Sequence, residues 1–231
     1  MSKSPSLALW FAASATIFFT RALLFSTWQS RGPEIKDALG LATAQMGLLV
    51  MLYPAGGLIG IFFAEKLTAK YGSRKVAIAG FSLAAASLAV LGVAIESGTL
   101  FIVAIALVLM GLPMAIADFL GNYEGTQVDR LSSRSLFPAI HAAYGIGMLL
   151  AAGLSSYFIG RHVGLTAHYF GTAVVVAGAS IWAALNFPDS VRTESRAATQ
   201  TPETQTPETQ TPETRQLARS VWTERRTQLI A

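Results

Sequence analysis

Apolar residues in this chain gather into six long runs, roughly Leu7–Trp28, Ala44–Ala64, Val76–Ile95, Leu100–Tyr123, Leu136–Ile159 and Leu165–Phe187. Each matches the ~20 residues of helix that cross a bilayer's hydrocarbon core. None alternates strictly between apolar and polar positions, so barrel strands do not fit. The connections are short and polar, as expected of helical hairpins. The first run follows Lys3, so a secretory signal peptide is the competing reading of it. No small-x-small cleavage site precedes polar sequence there, and apolar residues resume after Arg21, which favours a retained span.

Beyond Phe187 the pattern changes. Thr201–Thr214 reads TPETQTPETQTPET, almost three copies of a pentad, with no residue able to build a core. Residues 188–231 are therefore expected to form a polar, disordered cytoplasmic tail. The ending QLARSVWTERRTQLIA is basic and carries Leu217, Val221 and Trp222. It reads as a solvated end, with contact to anionic lipid as the other reading.

Composition sharpens the picture. Hydrophobic residues make up 52% of the chain and charged residues 13%, against about 25% charged in soluble domains. Cysteine is absent, which removes disulfides, thiolate metal sites and thiol nucleophiles. No cofactor or metal is expected. None of the common protease, hydrolase, P-loop or dinucleotide motifs is present, so an enzyme is the least favoured class. The net charge of +4 comes from sparse Lys and Arg lying mostly between apolar runs, so a nucleic-acid partner is not expected. With the N-terminus inside, Lys3, Lys66, Lys70, Arg74, Lys75, Arg130, Arg134, Arg192 and Arg196 are internal, against Arg31, Lys36 and Arg161 outside. That bias predicts six spans with both termini cytoplasmic.

Ionisable residues inside a span cost about 2.5–3.5 kcal/mol on insertion scales and are functional candidates by default. Arg21, Asp118 and His141 stand out. In the fourth span Gly111, Ala115, Asp118, Asn122 and Gly125 form one helical stripe. Its small members leave room for another helix or a solute, while a simple interhelical hydrogen bond is the plainer role for Asp118 and Asn122. The fifth span repeats the pattern with His141, Gly145, Met148 and Ala152, and Tyr144 lies one turn deeper than His141. Counted from Tyr123 and Leu136, Asp118 and His141 each lie about 8 Å inside the same membrane face. Consecutive antiparallel spans then make them neighbours, as a proton relay or as a plain hydrogen bond. Arg21, counted from Leu7, lies about 21 Å in, so it is not expected to pair with Asp118. It shares a face with Ser14 and Trp28. There it either meets an anionic solute group in a cavity or snorkels to lipid phosphate.

The sequence AEKLTAKYGSRKV between the second and third spans resembles the cytoplasmic signature loop of the major facilitator superfamily. Lys70, Gly72, Arg74 and Lys75 match it, while Ala69 and Glu65 stand where the family usually carries an acid and a glycine. The stretches STWQSRGPEIKDALGLATAQMGLL, DFLGNYEGTQVDR and FPAIHAAYGIG look like those of bacterial inner-membrane members near the fucose-permease-like branch. The resemblance implies an all-α membrane protein in which residues 1–187 form one six-helix half of the family's bundle. It implies Asp118, Asn122, His141 and Tyr144, with Arg21, as the solute and proton pathway. Arg21 occupies a span in which sugar symporters of that branch often carry an acid.

The leading expectation is secondary transport of a small solute, possible with coupled protons, by the N-terminal half of a transporter in a bacterial inner membrane. A homodimer or a second half would complete the two-sided site. A truncated, non-transporting product and a six-span scaffold or channel are the alternatives. The topology has a direct test: alkaline phosphatase fused after Phe187 should be inactive in a bacterial host. Activity there would remove either the six-span count or the orientation.

Overall fold

The computed structural model describes residues 5–188, and the predicted tail lies outside them. The described residues are all-helical, in the order α1 (Leu7–Gln29), α2 (Gly32–Ala38), α3 (Thr43–Tyr71), α4 (Ser73–Glu96), α5 (Leu100–Leu131), α6 (Phe137–Gly160) and α7 (Leu165–Leu185). Six of these, all but α2, are long and apolar enough to cross a membrane, as the apolar runs predict. The chain is a multi-pass membrane protein.

The helix ends follow local chemistry. Ser6 caps α1 by accepting from the Leu9 amide at 3.3 Å. Gly72 alone separates α3 from α4, with φ 83°, a backbone conformation that a side chain disfavours. Asp129 on α5 accepts from the first amides of α6, at Leu136 and at Phe137 (2.9 Å). Its carboxylate thereby satisfies donors that the helix start leaves open. Glu96 does the same for α7 through the Thr166 amide and hydroxyl.

Two features depart from the sequence expectation. The short α2 lies in the segment between the first two spans, with Pro33 in its first turn and anchored by buried Ile35. Second, α3 and α5 continue well past their apolar runs, to Tyr71 and Leu131. The apolar window ends where polar residues begin, but the hydrogen-bonded helix does not.

Consecutive spans are mostly not neighbours. The close pairs are α3 with α5, α1 with α6, α4 with α7, α4 with α5, α1 with α7 and α1 with α5. Exchanging the first three spans with the last three, in order, leaves this set unchanged. That is the signature of an inverted repeat, and each of these pairs, α1 with α5 among them, joins one three-helix unit to the other. By contrast α3 and α6 leave large side chains uncovered, including Phe62 at 76% and Leu149 at 77% exposure.

The α3–α5 contact is backbone on backbone. A Cβ built on Gly56 would overlap the Val108 carbonyl, one on Gly60 the Leu112 carbonyl, and one on Gly111 the Tyr53 carbonyl. Glycines of this kind let transmembrane helices approach closely. Gly153 on α6 has open space in the same respect. Gly111→Val should therefore lower the detergent melting temperature sharply, with a cost of about 3 kcal/mol or more. Gly153→Ala should leave it nearly unchanged. Equal behaviour of the two in a thermal-unfolding assay would contradict this packing.

Candidate functional site

Arg21 on α1 and Asp118 on α5 form a direct ion pair, Nη1 to Oδ1. This corrects the expectation that the two lie at different depths. The cause is the length of α5. Counted from its true end at Leu131, Asp118 is thirteen residues in, about 20 Å at 1.5 Å per residue. Arg21, fourteen residues from Leu7, is about 21 Å in. Small residues let α1 approach α5 here: a Cβ on Gly121 would press on the Phe18 ring at 3.1 Å.

The pair is held on both sides. The Arg21 guanidinium lies 4.7 Å from the Tyr144 ring centre and 5.5 Å from that of Phe18, within reach of cation–π attraction. Asn122 donates through Nδ2 to the Asp118 backbone carbonyl at 2.8 Å and to Oδ1 at 3.2 Å. The Arg21 side chain is 16% exposed and that of Asp118 48%, so the carboxylate is the accessible partner.

His141 takes a different place from the one expected. Its ring lies against Phe18 at 5.1 Å, Phe137 at 6.2 Å and Tyr144 at 6.3 Å. No hydrogen bond joins it to Asp118 among the described residues. Two facts explain this. α6 packs on α1, and α1 stands beside α5, so consecutive spans are not adjacent walls. It is Tyr144, one turn along α6, that reaches the level of the ion pair.

A cavity of about 440 Å³ opens beside the pair, lined by Arg21, Asp118, Tyr144 and residues of α1, α3 and α5. One wall is aromatic: Phe25 and Trp28 lie 5.3 and 5.8 Å from the Tyr53 ring. The lining also contains Gly57, Gly111 and Ala115, positions that offer room rather than side chains. Trp28 was legible from its spacing with Arg21. Tyr53 and Phe25 carried no signal, since aromatics on apolar helices are ordinary. Glu124 was missed as well. It is buried and accepts from the Trp10 indole N–H at 2.9 Å, but it lies beyond the apolar run of its span.

The signature-loop residues occupy the α3–α4 turn, away from the cavity. Gly72 makes the turn, Lys70 lies 5.1 Å from the Tyr71 ring centre, and Lys75 is exposed. Arg74 donates to the Phe187 carbonyl at 2.9 Å, just past the end of α7. Among the described residues no group of His, Asp and Glu is arranged to hold a metal.

A profile of the Major Facilitator Superfamily matches residues 9–230. An uncharacterized MFS-type transporter of Yersinia pestis is 29% identical over 136 residues, 59% of this chain and 35% of that protein. An uncharacterized transporter of Sinorhizobium fredii is 27% identical over 182 residues, 78% of this chain and 48% of its own length. Membrane protein MosC of Rhizobium meliloti is 25% identical over 194 residues, 82% of this chain and 46% of its own. The chain thus spans less than half the length of these curated relatives. No solved structure matches.

The ion pair generates a double-mutant prediction. Arg21→Gln and Asp118→Asn should each lower the melting temperature in detergent, because each leaves one intramembrane charge without its partner. The double variant should lose less than the two together, with a coupling of about 1–3 kcal/mol. Strict additivity would show that the pair contributes nothing to the fold.

Proposed function

The chain belongs to the major facilitator superfamily, and on that premise we propose that it serves secondary transport of a small solute, driven by protons. In this reading it supplies one six-helix half of the carrier. The observation that carries it is the Arg21–Asp118 pair, bridging α1 and α5 at mid-depth beside a 440 Å³ cavity. An ion pair at that depth is costly unless used. Asp118 is the proton-accepting carboxylate and Asn122 its hydrogen-bond partner. Arg21 faces the solute, Tyr144 fixes the guanidinium, and His141 lies one turn below on the same path.

The second half is supplied by further sequence, a second copy or another chain. Support comes from the relatives, which are all more than twice as long as the part matched, and from the uncovered apolar faces of α3 and α6. A place near the fucose-permease-like branch, in a bacterial inner membrane with cytoplasmic termini, rests on the DFLGNYEGTQVDR and HAAY segments and on the Lys/Arg bias. The uses of the signature loop follow the same reading: Arg74 ties the α3–α4 turn to the end of α7, and Lys70 and Lys75 flank it.

The test is uptake. Membrane vesicles carrying the full chain, assembled with its second half, are given an imposed pH gradient and a panel of labelled small solutes. Gradient-dependent uptake is expected for at least one solute. Asp118→Asn should abolish it while leaving the protein in the membrane, and His141→Gln should shift its pH dependence. Mass measurement in mild detergent should find a dimer or a complex. Flux from a strict monomer of this six-span half alone, or gradient-driven uptake that survives Asp118→Asn, would overturn this assignment.

A further inference from the structure

We propose that the solute is a small apolar monocarboxylate, bound by Arg21 at the moment a proton neutralises Asp118. The inference rests on the reading of this pair as the solute site.

The charges lining the cavity decide the class. Among its lining residues Arg21 is the one cation and Asp118 the one carboxylate. With both ionised they satisfy each other, and an incoming anion would meet an ionised carboxylate already holding the guanidinium. Two anions sharing one guanidinium there is strongly unfavourable. A proton removes the conflict. It bonds to a carboxylate oxygen of Asp118, which becomes a neutral acid, and no other covalent bond forms or breaks. The guanidinium then exchanges the Asp118 carboxylate for the carboxylate of the solute, for which its fork geometry is suited. The summed charge of the site is zero before loading and zero after it. Both states can therefore pass through a closed, dry conformation without carrying a net charge into low dielectric.

The neighbours fit the exchange. Asp118 is the more exposed partner, at 48% against 16%, so it is the group a proton can reach. Asn122 donates to the ionised carboxylate at 3.2 Å. The same Nδ2 is held by the Asp118 backbone carbonyl at 2.8 Å, so the amide keeps its place when the carboxylate is neutralised, and it can still donate to the acid's carbonyl oxygen. Arg21 stays anchored over the Tyr144 ring at 4.7 Å throughout.

The rest of the cavity sets the body of the solute. One fixed cation matches one negative charge, so a phosphate dianion would keep a charge uncompensated. The wall of Phe25, Trp28 and Tyr53 favours an apolar or planar body, and Gly57 and Gly111 leave it space.

Benzoate and its neutral isostere benzamide test this on the full chain, assembled with its second half, in lipid nanodiscs. Binding is read by tryptophan fluorescence, with Trp28→Phe identifying the cavity signal, and proton uptake by a pH dye in weak buffer. Benzoate should bind at least ten times more tightly than benzamide and take up about one proton per molecule bound. Its affinity should fall about tenfold per pH unit on the alkaline side, as a single linked proton requires. Asp118→Asn should bind benzoate with no proton uptake and no such pH dependence, and Arg21→Gln should bind it at least tenfold more weakly. No benzoate binding by the native chain, equal binding of benzamide, or benzoate binding without proton uptake would each overturn the proposal. These three overturning outcomes are read on the native protein, so they do not depend on a variant folding. They are also separate from vesicle flux: gradient-driven uptake of a neutral solute would leave the transport reading standing and remove only the solute class.

Discussion

A guanidinium and a carboxylate sit at the middle of an apolar helix bundle, and each is affordable there only because of the other. Moving either charge alone from water into that environment costs several kcal/mol. The Arg21–Asp118 contact therefore constrains more than two side chains. It requires α1 and α5 to lie side by side at matching depth, which in turn requires small residues where they cross. Gly121, under the Phe18 ring, meets that need. Tyr144 then brings α6 to the outer side of α1, with its ring against the cation. The position of His141, stacked with Tyr144 and edge-on to Phe18, follows from that docking.

The opposite wall is set by a different economy. α3 carries no charge into the cavity and instead approaches α5 through bare backbone, at Gly56, Gly60 and Gly111. Close approach there brings Tyr53 opposite Phe25 and Trp28. Charge thus fixes the α1–α5 side of the cavity, and the absence of side chains fixes the α3–α5 side. The same stripe of α5 serves both, since Gly111 and Asp118 are seven residues apart and share a face.

Much of the fold was legible because the bilayer leaves a strong trace in sequence. Six apolar runs became six helices, and the Gly72 turn fell where the signature loop placed it. Of the candidate residues, Arg21, Asp118 and Tyr144 line one cavity, and Asn122 is hydrogen-bonded to Asp118. Their partnerships were not legible, for two physical reasons. Hydropathy marks where the apolar run stops and not where the helix stops, so the polar last turns of α5 went uncounted and Asp118 was placed about 12 Å too shallow. Adjacency in sequence also does not set adjacency in a bundle built from inverted repeats, so the His141 neighbour was inferred from the wrong wall. Tyr53 left no trace, because its role depends on which helix it faces.

The inverted repeat gives the ion pair its mechanical meaning. α1 opens the first three-helix unit and α5 the second, and exchanging the two units exchanges the close partners of α1 with those of α5. A symmetric pair of residues at their crossing, two acids or two bases, would repel. Opposite charges make the crossing attractive, and they make it switchable, since one of the two can be neutralised by a proton and the other cannot: arginine stays charged at any physiological pH. Under the reading proposed here, protonation of Asp118 weakens the contact between the two units just as Arg21 acquires a new anionic partner. Occupancy and the packing of the units are then linked through one hydrogen-bonded contact. The link starts at the pair itself, because each of the two charged helices also packs on further helices of the other unit, α1 on α6 and α7, α5 on α3 and α4.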